Sequence, residues 1–432
     1  MAGRAADEIL ARLEPLGVRL ELDIFRRLLA ALGEPQRRVP ALLVAGTNGK
    51  GSVAALLDAI ARAAGLRVGL YTSPHLERWE ERIRVGGAPI AAPALASRLE
   101  RALAAARRCG LPPPTPFEAL TAAAWLEFGR AAVDLAVVEV GLGGRLDATN
   151  ACDPVLSLIT RVALDHRAEL GADLAAIARE KAGILRRGTP AVVAAQEPNA
   201  LAALREAAAR IGAPLHLAAD EVRVGAAEWR GLAGHRLRLA TPAGVHALEL
   251  PLAGEHQIAN AAVAVRAAEL AAARWPAIDS DAIRRGVAAC RWPGRLEAFA
   301  APGGGTTVLL DAAHNPDGAA ALARFLERLG QPYTLVFGCL ADKDAREMLP
   351  RLVRGATSLV LTRPPSPRAR PPEQLLALVP AGLAAAVEEE PRSALGRALA
   401  AGPGLLVVSG SIYLVGASRS WLSGLGFRSA SA

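Results

Sequence analysis

Aromatic residues are scarce, at 4% of the 432 positions. Stacking platforms for nucleic acid interleave aromatics with clustered basic side chains. Here 50 Lys and Arg against 42 Asp and Glu give a formal charge of +8, but the arginines are dispersed. A nucleic-acid partner is therefore not expected, and the positive balance suits small anions such as nucleotides or polycarboxylates. Cysteine is also sparse. Cys109, Cys152, Cys290 and Cys339 lie far apart without a CxxC pair, which argues against a disulfide framework or a cysteine metal site and leaves reduced, mostly buried thiols. No apolar run reaches the roughly 18 residues of a membrane span. The stretch MAGRAADEILARLEPLG is charged throughout and reads as an amphipathic helix, not a secretion signal. A cytoplasmic location is the expectation. What the chain does have is 52% hydrophobic and 21% charged residues over a length suited to two or three domains.

The apolar residues come in short blocks separated by helical patterns. ALLVA (41–45), LRVGLYTS (66–73), DLAVVEV (134–140), PVLSLIT (154–160) and PAVVAA (190–195) read as strands buried on both faces. Helical patterns cover 52–64, 93–108, 173–185 and 255–274, and Thr115-Pro116-Phe117-Glu118 is a capping box opening a helix to about Arg130. HRLRLA and VHALELPL around TPAG read as a hairpin. RWPGRLE (291–297) is a plausible hinge, after which the alternation restarts with TTVLLDAAH, a helix over 316–329, YTLVFG, SLVLTRP and GLLVVSGS. The pattern predicts an α/β chain: a P-loop-type, mostly parallel sheet with flanking helices over 1–294, then a smaller Rossmann-like α/β domain over 295–432.

VAGTNGKGSVAALLDAI (44–60) follows a buried strand and opens a helix. It departs from the common phosphate-loop spacing, because Val44 stands where the first glycine belongs and Gly51 separates Lys50 from Ser52. The physics still favours a phosphate. A helix N-terminus presents free N–H groups, Gly46, Gly49 and Gly51 allow close backbone approach, Lys50 brings charge, and Ser52 can reach a magnesium ion.

Several other polar residues fall at predicted strand ends, where open parallel sheets bind ligands. Glu139 ends an apolar strand, so it either serves Mg²⁺ or pairs with an arginine. His166 in LDHRAELG is a metal ligand or an ordinary structural histidine. Lys181, flanked by apolar residues, either snorkels to solvent or, if buried and neutral, can take up carbon dioxide as a carbamate. His256 and Asn260 share a helix face, Arg295 lies in the hinge, and Asp311 and His314 follow a strand of the second domain.

Taken in order, GTNGKGS, YTSPHL, FEALTAAA, VEVGLGGRLDATN, LDH…LG, EKAGI, GEHQIANAA, WPGRLE, DAAHNPDG and FGCLADKD resemble the folylpolyglutamate synthase and dihydrofolate synthase family of the Mur ligase superfamily. The Gly-Lys-Gly-Ser variant is that family's form of the loop. The resemblance implies that Gly49, Lys50, Gly51 and Ser52 cradle ATP phosphates. It implies that Ser73, Glu139 and His166 hold magnesium, and that Lys181 is a carbamylated lysine serving a second Mg²⁺, with a monovalent cation as a further candidate. Asn260 and Arg295 would contact ATP, Asp311 its ribose, and His314 the same cleft. Lys50, Lys181 and His314 form the expected catalytic set. Thr115, Phe117, Glu118, Leu146 and Asp147 fall where the family binds its pterin, and a segment resembling LELDIFRRLL lines that pocket.

The implied activity is ATP-dependent ligation of L-glutamate to dihydropteroate, to folyl(poly)glutamate or to both, through an acyl phosphate, by a monomer. Two alternatives are a peptidoglycan-type Mur amino-acid ligase, disfavoured by FEALTAAA, and a non-catalytic ATP-binding regulatory protein, disfavoured by intact Lys50, Glu139, His166 and Lys181. Arg167-Ala168 stands where many relatives carry Thr and a bulkier residue, a change at the pocket edge.

Overall fold

The computed structural model describes residues 2–429. Contacts divide the chain into two compact units: Met1–Gly225 with Arg238–Leu248 and Ala259–Ala289, and Ala226–Leu237 with Glu249–Ile258 and Cys290–Ala432.

The first unit is built on eight strands: β1 (Ala41–Ala45), β2 (Val68–Tyr71), β3 (Ile83–Val85), β4 (Ala88–Pro89), β5 (Leu135–Glu139), β6 (Pro154–Ile159), β7 (Ala191–Val193) and β8 (Leu215–Leu217). Their order is β4-β3-β2-β5-β1-β6-β7-β8. From β2 to β8 every neighbour is parallel, and only β3 and β4 run against their partners. Strand β1 lies between β5 and β6 and is buried along its whole length, which is why it reads as ALLVA without alternation. The register pairs Val44 with Glu139 and Ala45 with Ile159, so the ends of three central strands coincide.

The helices that follow these strands begin where the sequence signals put them. Helix Lys50–Ala63 has Gly49 as N-cap at φ 93°, and Gly65 follows its end at φ 83°. In helix Pro116–Arg130 the predicted capping box is present, with Glu118 N–H donating to Thr115 Oγ1 at 3.2 Å and Thr115 N–H to Glu118 Oε2 at 2.8 Å. Asp173 caps helix Leu174–Ala182 through Ala176 N–H at 2.8 Å. Asp279 caps helix Ser280–Ala289 in the same way through Ala282 N–H at 2.7 Å.

Three further strands, β9 (Arg223–Trp229), β10 (His235–Thr241) and β11 (Gly244–Leu250), form a sheet of order β11-β10-β9. β10 and β11 are the predicted hairpin. β9 was not expected, because RVGAAEW is exposed over most of its length and carries no apolar alternation.

The second unit carries a seven-stranded sheet of order β16-β15-β14-β17-β13-β12-β18, from β12 (Glu297–Ala300), β13 (Thr306–Leu310), β14 (Tyr333–Phe337), β15 (Ala356–Thr362), β16 (Ala384–Glu388), β17 (Gly404–Ser409) and β18 (Arg428–Ser429). β13 to β17 are parallel, and β12 adds antiparallel to β13. Helix Pro316–Leu329, capped by Asn315, follows β13. This is the Rossmann-like α/β arrangement expected of the C-terminal part.

Three of the four cysteines are buried and Cys109 is exposed. Among the described residues no helix is long and apolar enough to cross a membrane.

Candidate functional site

The turn after β1 is shaped by its neighbours. Gly46 has φ 146°, and a Cβ on it would lie 1.8 Å from Thr160 Oγ1 at the end of β6. Only glycine fits there. A Cβ on Gly49 would lie 2.3 Å from Asn260 Oδ1, which sets the Asn260 side chain directly on the turn. Thr47 and Asn48 N–H both donate to the Arg161 carbonyl, at 2.8 and 3.2 Å. Thr47 Oγ1 donates to Ala163 C=O and accepts from Ala163 N–H, both at 3.1 Å. The loop is thus pinned to the segment leaving β6.

Two lysines meet on this turn. Lys50 Nζ curls back to donate to the Gly46 and Thr47 carbonyls, each at 3.1 Å. Lys181 Nζ, from helix Leu174–Ala182, donates to the same Gly46 carbonyl at 2.9 Å. Lys181 is 3% exposed, so it does not snorkel to solvent. Burial, and secondarily the neighbouring Lys50 charge, pull its amine down to about 7. At neutral pH a substantial fraction is the free amine, the form able to react with carbon dioxide.

Glu139 is buried at the end of β5, and its Oε2 accepts the Ser73 N–H at 3.1 Å, which brings Ser73 of YTSPHL to the same strand edge. His166 sits beyond β6 in a left-handed conformation, φ 51°, opening the short helix Arg167–Leu170. Its ring nitrogens lie 3.9 Å from Asp165 and 4.0 Å from Glu169. Ser52 is buried in the first turn of helix Lys50–Ala63. Among the described residues no group of three or more His, Cys, Asp or Glu side chains is arranged to hold a metal ion. Of the expected donors, the buried Glu139 carboxylate and the Ser52 and Ser73 hydroxyls are oxygens of the kind Mg²⁺ takes alongside phosphate and water, whereas the His166 imidazole is a softer donor.

The GLGG turn after β5 is locked against the Lys181 helix. A Cβ on Gly144 would lie 2.7 Å from the Glu180 carbonyl, and one on Gly183 would lie 2.4 Å from Arg145 Cα. Arg145 N–H donates to Glu180 C=O at 2.9 Å, and its guanidinium reaches the Glu180 carboxylate at 2.9 Å. Asp147 is fully engaged inside this turn. Its Oδ2 accepts Leu142 N–H at 2.8 Å, and its Oδ1 accepts Thr149 N–H at 3.0 Å and Thr149 Oγ1–H at 2.6 Å. Burial raises its carboxyl above the usual range, and these bonds work against that rise. Phe117 lies across Gly141, where a Cβ would meet its ring at 2.5 Å and Asp147 Oδ2 at 3.2 Å. Its ring centroid is 6.0 Å from that of Tyr71, whose hydroxyl accepts from Thr121 at 3.1 Å. Phe117 and Leu146 are half-buried, and Thr115, Glu118 and Asp147 are buried. Phe117, Leu146 and Asp147 therefore cluster at one edge of the sheet, with Thr115 and Glu118 at the capped start of the helix that carries Phe117.

In the second unit Asp311 follows β13. Its Oδ2 accepts Leu296 N–H at 2.9 Å and its Oδ1 accepts Ala313 N–H at 3.0 Å, while burial raises its pKa against the pull of Arg295. Arg295 is half-buried and donates to Gly294 C=O at 3.0 Å. His314 Nδ1 is 2.9 Å from the Ala312 carbonyl, to which it donates. These three residues share one strand end of that unit.

Sequence reasoning passed over Thr160, which dictates Gly46, and Arg19, which pairs with Glu118 at 3.1 Å. Thr160 could have been found as a polar residue ending an apolar strand. Arg19 lies 99 positions from its partner and gives no local signal.

Comparison with known proteins agrees with this geometry. Residues 44–268 match the Mur ligase middle domain and residues 294–412 the Mur ligase glutamate ligase domain. A folylpolyglutamate synthase of Lacticaseibacillus casei is 38% identical over 407 residues, covering 92% of this chain and 93% of that protein. The structure of Mycobacterium tuberculosis folylpolyglutamate synthase complexed with ADP is similar at a TM-score of 0.87 and 35% identity, covering 96% and 98% of the two chains. Escherichia coli FolC in complex with DHPP and ADP is similar at 0.86 and 31%, covering 97% and 98%. The fold is that of an ATP-dependent ligase, and the chain belongs to the Mur ligase family. Within that family it stands with the folylpolyglutamate and dihydrofolate synthases.

Proposed function

We propose that this protein joins L-glutamate to dihydropteroate and to folates already carrying glutamate, at the expense of ATP. The observation that carries the reading is the meeting of the Lys50 and Lys181 amino groups on the Gly46 carbonyl, at the N-terminus of a helix. The Lys50 charge at the N-terminus of helix Lys50–Ala63 makes a place where a polyphosphate is favoured, and the Lys181 amine is held beside it.

In the reaction, the substrate carboxylate takes the γ-phosphoryl group of ATP to become an acyl phosphate. The glutamate amine then attacks that carbonyl and phosphate leaves. Gly49, Lys50, Gly51 and Ser52 hold the phosphates, and Lys50 swings from its carbonyls to the transferring group, where negative charge accumulates. Asn260, already against Gly49, supports the nucleotide. Arg295, Asp311 and His314, together at one strand end of the second unit, are the residues there that this reading assigns to the nucleotide.

Ser73, Glu139 and His166 would hold Mg²⁺, and Lys181 as a carbamate would hold a second ion. Bound magnesium supplies charge neutralisation on the phosphoryl oxygens. The hydrogen bond from Ser73 N–H orients the Glu139 carboxylate for this task. Phe117 and Leu146 give the pterin an apolar wall, with Asp147 fixing the turn that carries Leu146. In this reading residues 1–294 carry ATP and pterin, and residues 295–432 complete the ligase.

The test is ADP release with dihydropteroate or tetrahydrofolate, each with and without L-glutamate. Turnover of both, strictly dependent on glutamate, is expected. ADP formation that ignores glutamate, or that needs neither pterin, would refute the proposal. Glu139→Ala is expected to cost about 10²-fold in turnover and to flatten its dependence on magnesium concentration. An unchanged magnesium titration would remove Glu139 from the ion site.

A further inference from the structure

The clearest long-range polar contact outside the loop-and-lysine site joins the N-terminal stretch to the start of helix Pro116–Arg130. Arg19 Nη1 donates to Glu118 Oε2 at 3.1 Å, and Nη2 donates to the Pro113 carbonyl at 3.3 Å. The Glu118 carboxylate is 3% exposed and the Arg19 side chain 22% exposed. The same Oε2 accepts the Thr115 N–H of the capping box, so one buried oxygen serves both the helix cap and the guanidinium. Glu118 is the neighbour of Phe117, whose ring is fixed over Gly141 next to Asp147.

The stretch that Arg19 ties down is otherwise thinly held. It runs between the buried residues Leu13 and Leu22 and contains the short turn Glu14–Leu16, which closes with Gly17 at φ 63°. Two of its residues, Leu16 and Val18, are exposed apolar side chains at 41% and 71%. The exposed apolar side chains of Leu16 and Val18 thus stand on a stretch that Arg19 anchors to the start of the helix carrying the half-buried Phe117 ring.

We propose that Arg19 is a positioning residue for the pterin substrate. It clamps residues 14–21 onto the Thr115–Glu118 cap, so that this stretch and Phe117 face the planar heterocycle together. This rests on the ligase reading above. Arg19 does not touch the phosphate loop, so its effect is confined to the pterin side. It also explains why Glu118, expected to bind substrate, has its carboxylate occupied by the cap and the clamp: Glu118 acts by holding Arg19 and Phe117 in place.

Steady-state kinetics of Arg19→Met and Arg19→Lys test this, with hydrogen exchange of residues 14–22 read alongside. Arg19→Met is expected to raise KM for dihydropteroate about ten-fold, with KM for ATP and kcat changed by less than about two-fold, and to speed exchange in 14–22. Arg19→Lys keeps the charge but not the two-pronged geometry, and should recover about half of that loss on a logarithmic scale. Unchanged KM for dihydropteroate in Arg19→Met overturns the proposal. So does a parallel rise in KM for ATP, which would mark a general folding defect. A wild-type protein that uses no pterin overturns the ligase reading itself, and does so before any variant is made.

Discussion

Replacing Lys181 with methionine abolishes most ligation yet leaves a more stable protein. Turnover should fall about 10²–10³-fold, the usual cost of removing a group that stabilises charge in a phosphoryl or acyl transfer. In protein prepared free of carbon dioxide, where Lys181 is the amine, stability moves the other way, because that amine is held almost dry and is drawn down to about 7. A shift of that size corresponds to roughly 5 kcal/mol of unfavourable burial at about 1.4 kcal/mol per pH unit. The bond to Gly46 returns about 1 kcal/mol of this, and that carbonyl keeps Lys50 as donor in the variant. The pH dependence has a definite sign. Unfolded, the amine takes its proton below about pH 10.4. Folded, it does so only near 7. Between these values the unfolded chain binds more protons, so wild-type stability gains with rising pH. The advantage of Lys181→Met is therefore largest below about pH 7, shrinks as pH rises and vanishes near 10. Urea unfolding of both proteins across this range checks it. A stability difference independent of pH would show that the amine is not buried as described.

The second large effect is expected at Gly46. In Gly46→Ala the new methyl would sit 1.8 Å from Thr160 Oγ1, 2.9 Å from its Cβ and 3.1 Å from its backbone nitrogen, on a backbone at φ 146°. Overpacking and backbone strain together are expected to cost about 3 kcal/mol of stability and to weaken ATP binding at least about ten-fold. The double variant Gly46→Ala/Thr160→Ala separates the two causes. Removing the hydroxyl relieves the closest contact but leaves the backbone nitrogen and the torsion, so only part of the stability returns. Full recovery would mean that the side-chain clash alone excludes other residues, and no loss in the single variant would mean that the turn is free to move. Thermal melts and nucleotide titrations read both quantities.

The parts of this structure that were legible in the sequence are those with a local physical signature. Strands β1, β5 and β6 are short, almost wholly apolar runs because they are covered on both faces, and their length between turn signals marks them as strands. The Thr115–Glu118 cap could be read because a cap is a rule about four consecutive residues. The ordered motifs brought Lys50, Glu139 and Lys181 forward, and the structure brings Lys50 and Lys181 onto one carbonyl. What local pattern does not contain is which polar groups turn inward on each other. Asp147 and Glu118 look like substrate contacts from their position, yet the oxygens of Asp147 are taken by Leu142 and Thr149, and those of Glu118 by Thr115 and Arg19. Strand β9 escaped for the opposite reason: RVGAAEW is exposed and small-residue rich, so nothing in its hydrophobicity marks it. Lys181 could be placed on a helix by pattern, but only the fold distinguishes a lysine reaching water from one reaching Gly46.

The fit of Gly144 against Glu180 and of Gly183 against Arg145 bears on how this enzyme could acquire new acceptors. Because the acceptor-side turn and the amine-bearing helix touch backbone to backbone, any lengthening of the turn is transmitted to the Lys181 nitrogen. Natural variation toward other acid partners should then be channelled into side-chain exchange at 142 and 146, and insertions there should arise only together with compensating changes in 180–183. A randomised library with one-residue insertions at 143–145 would reveal this as a near-total loss of active clones, against many survivors among substitutions at 146.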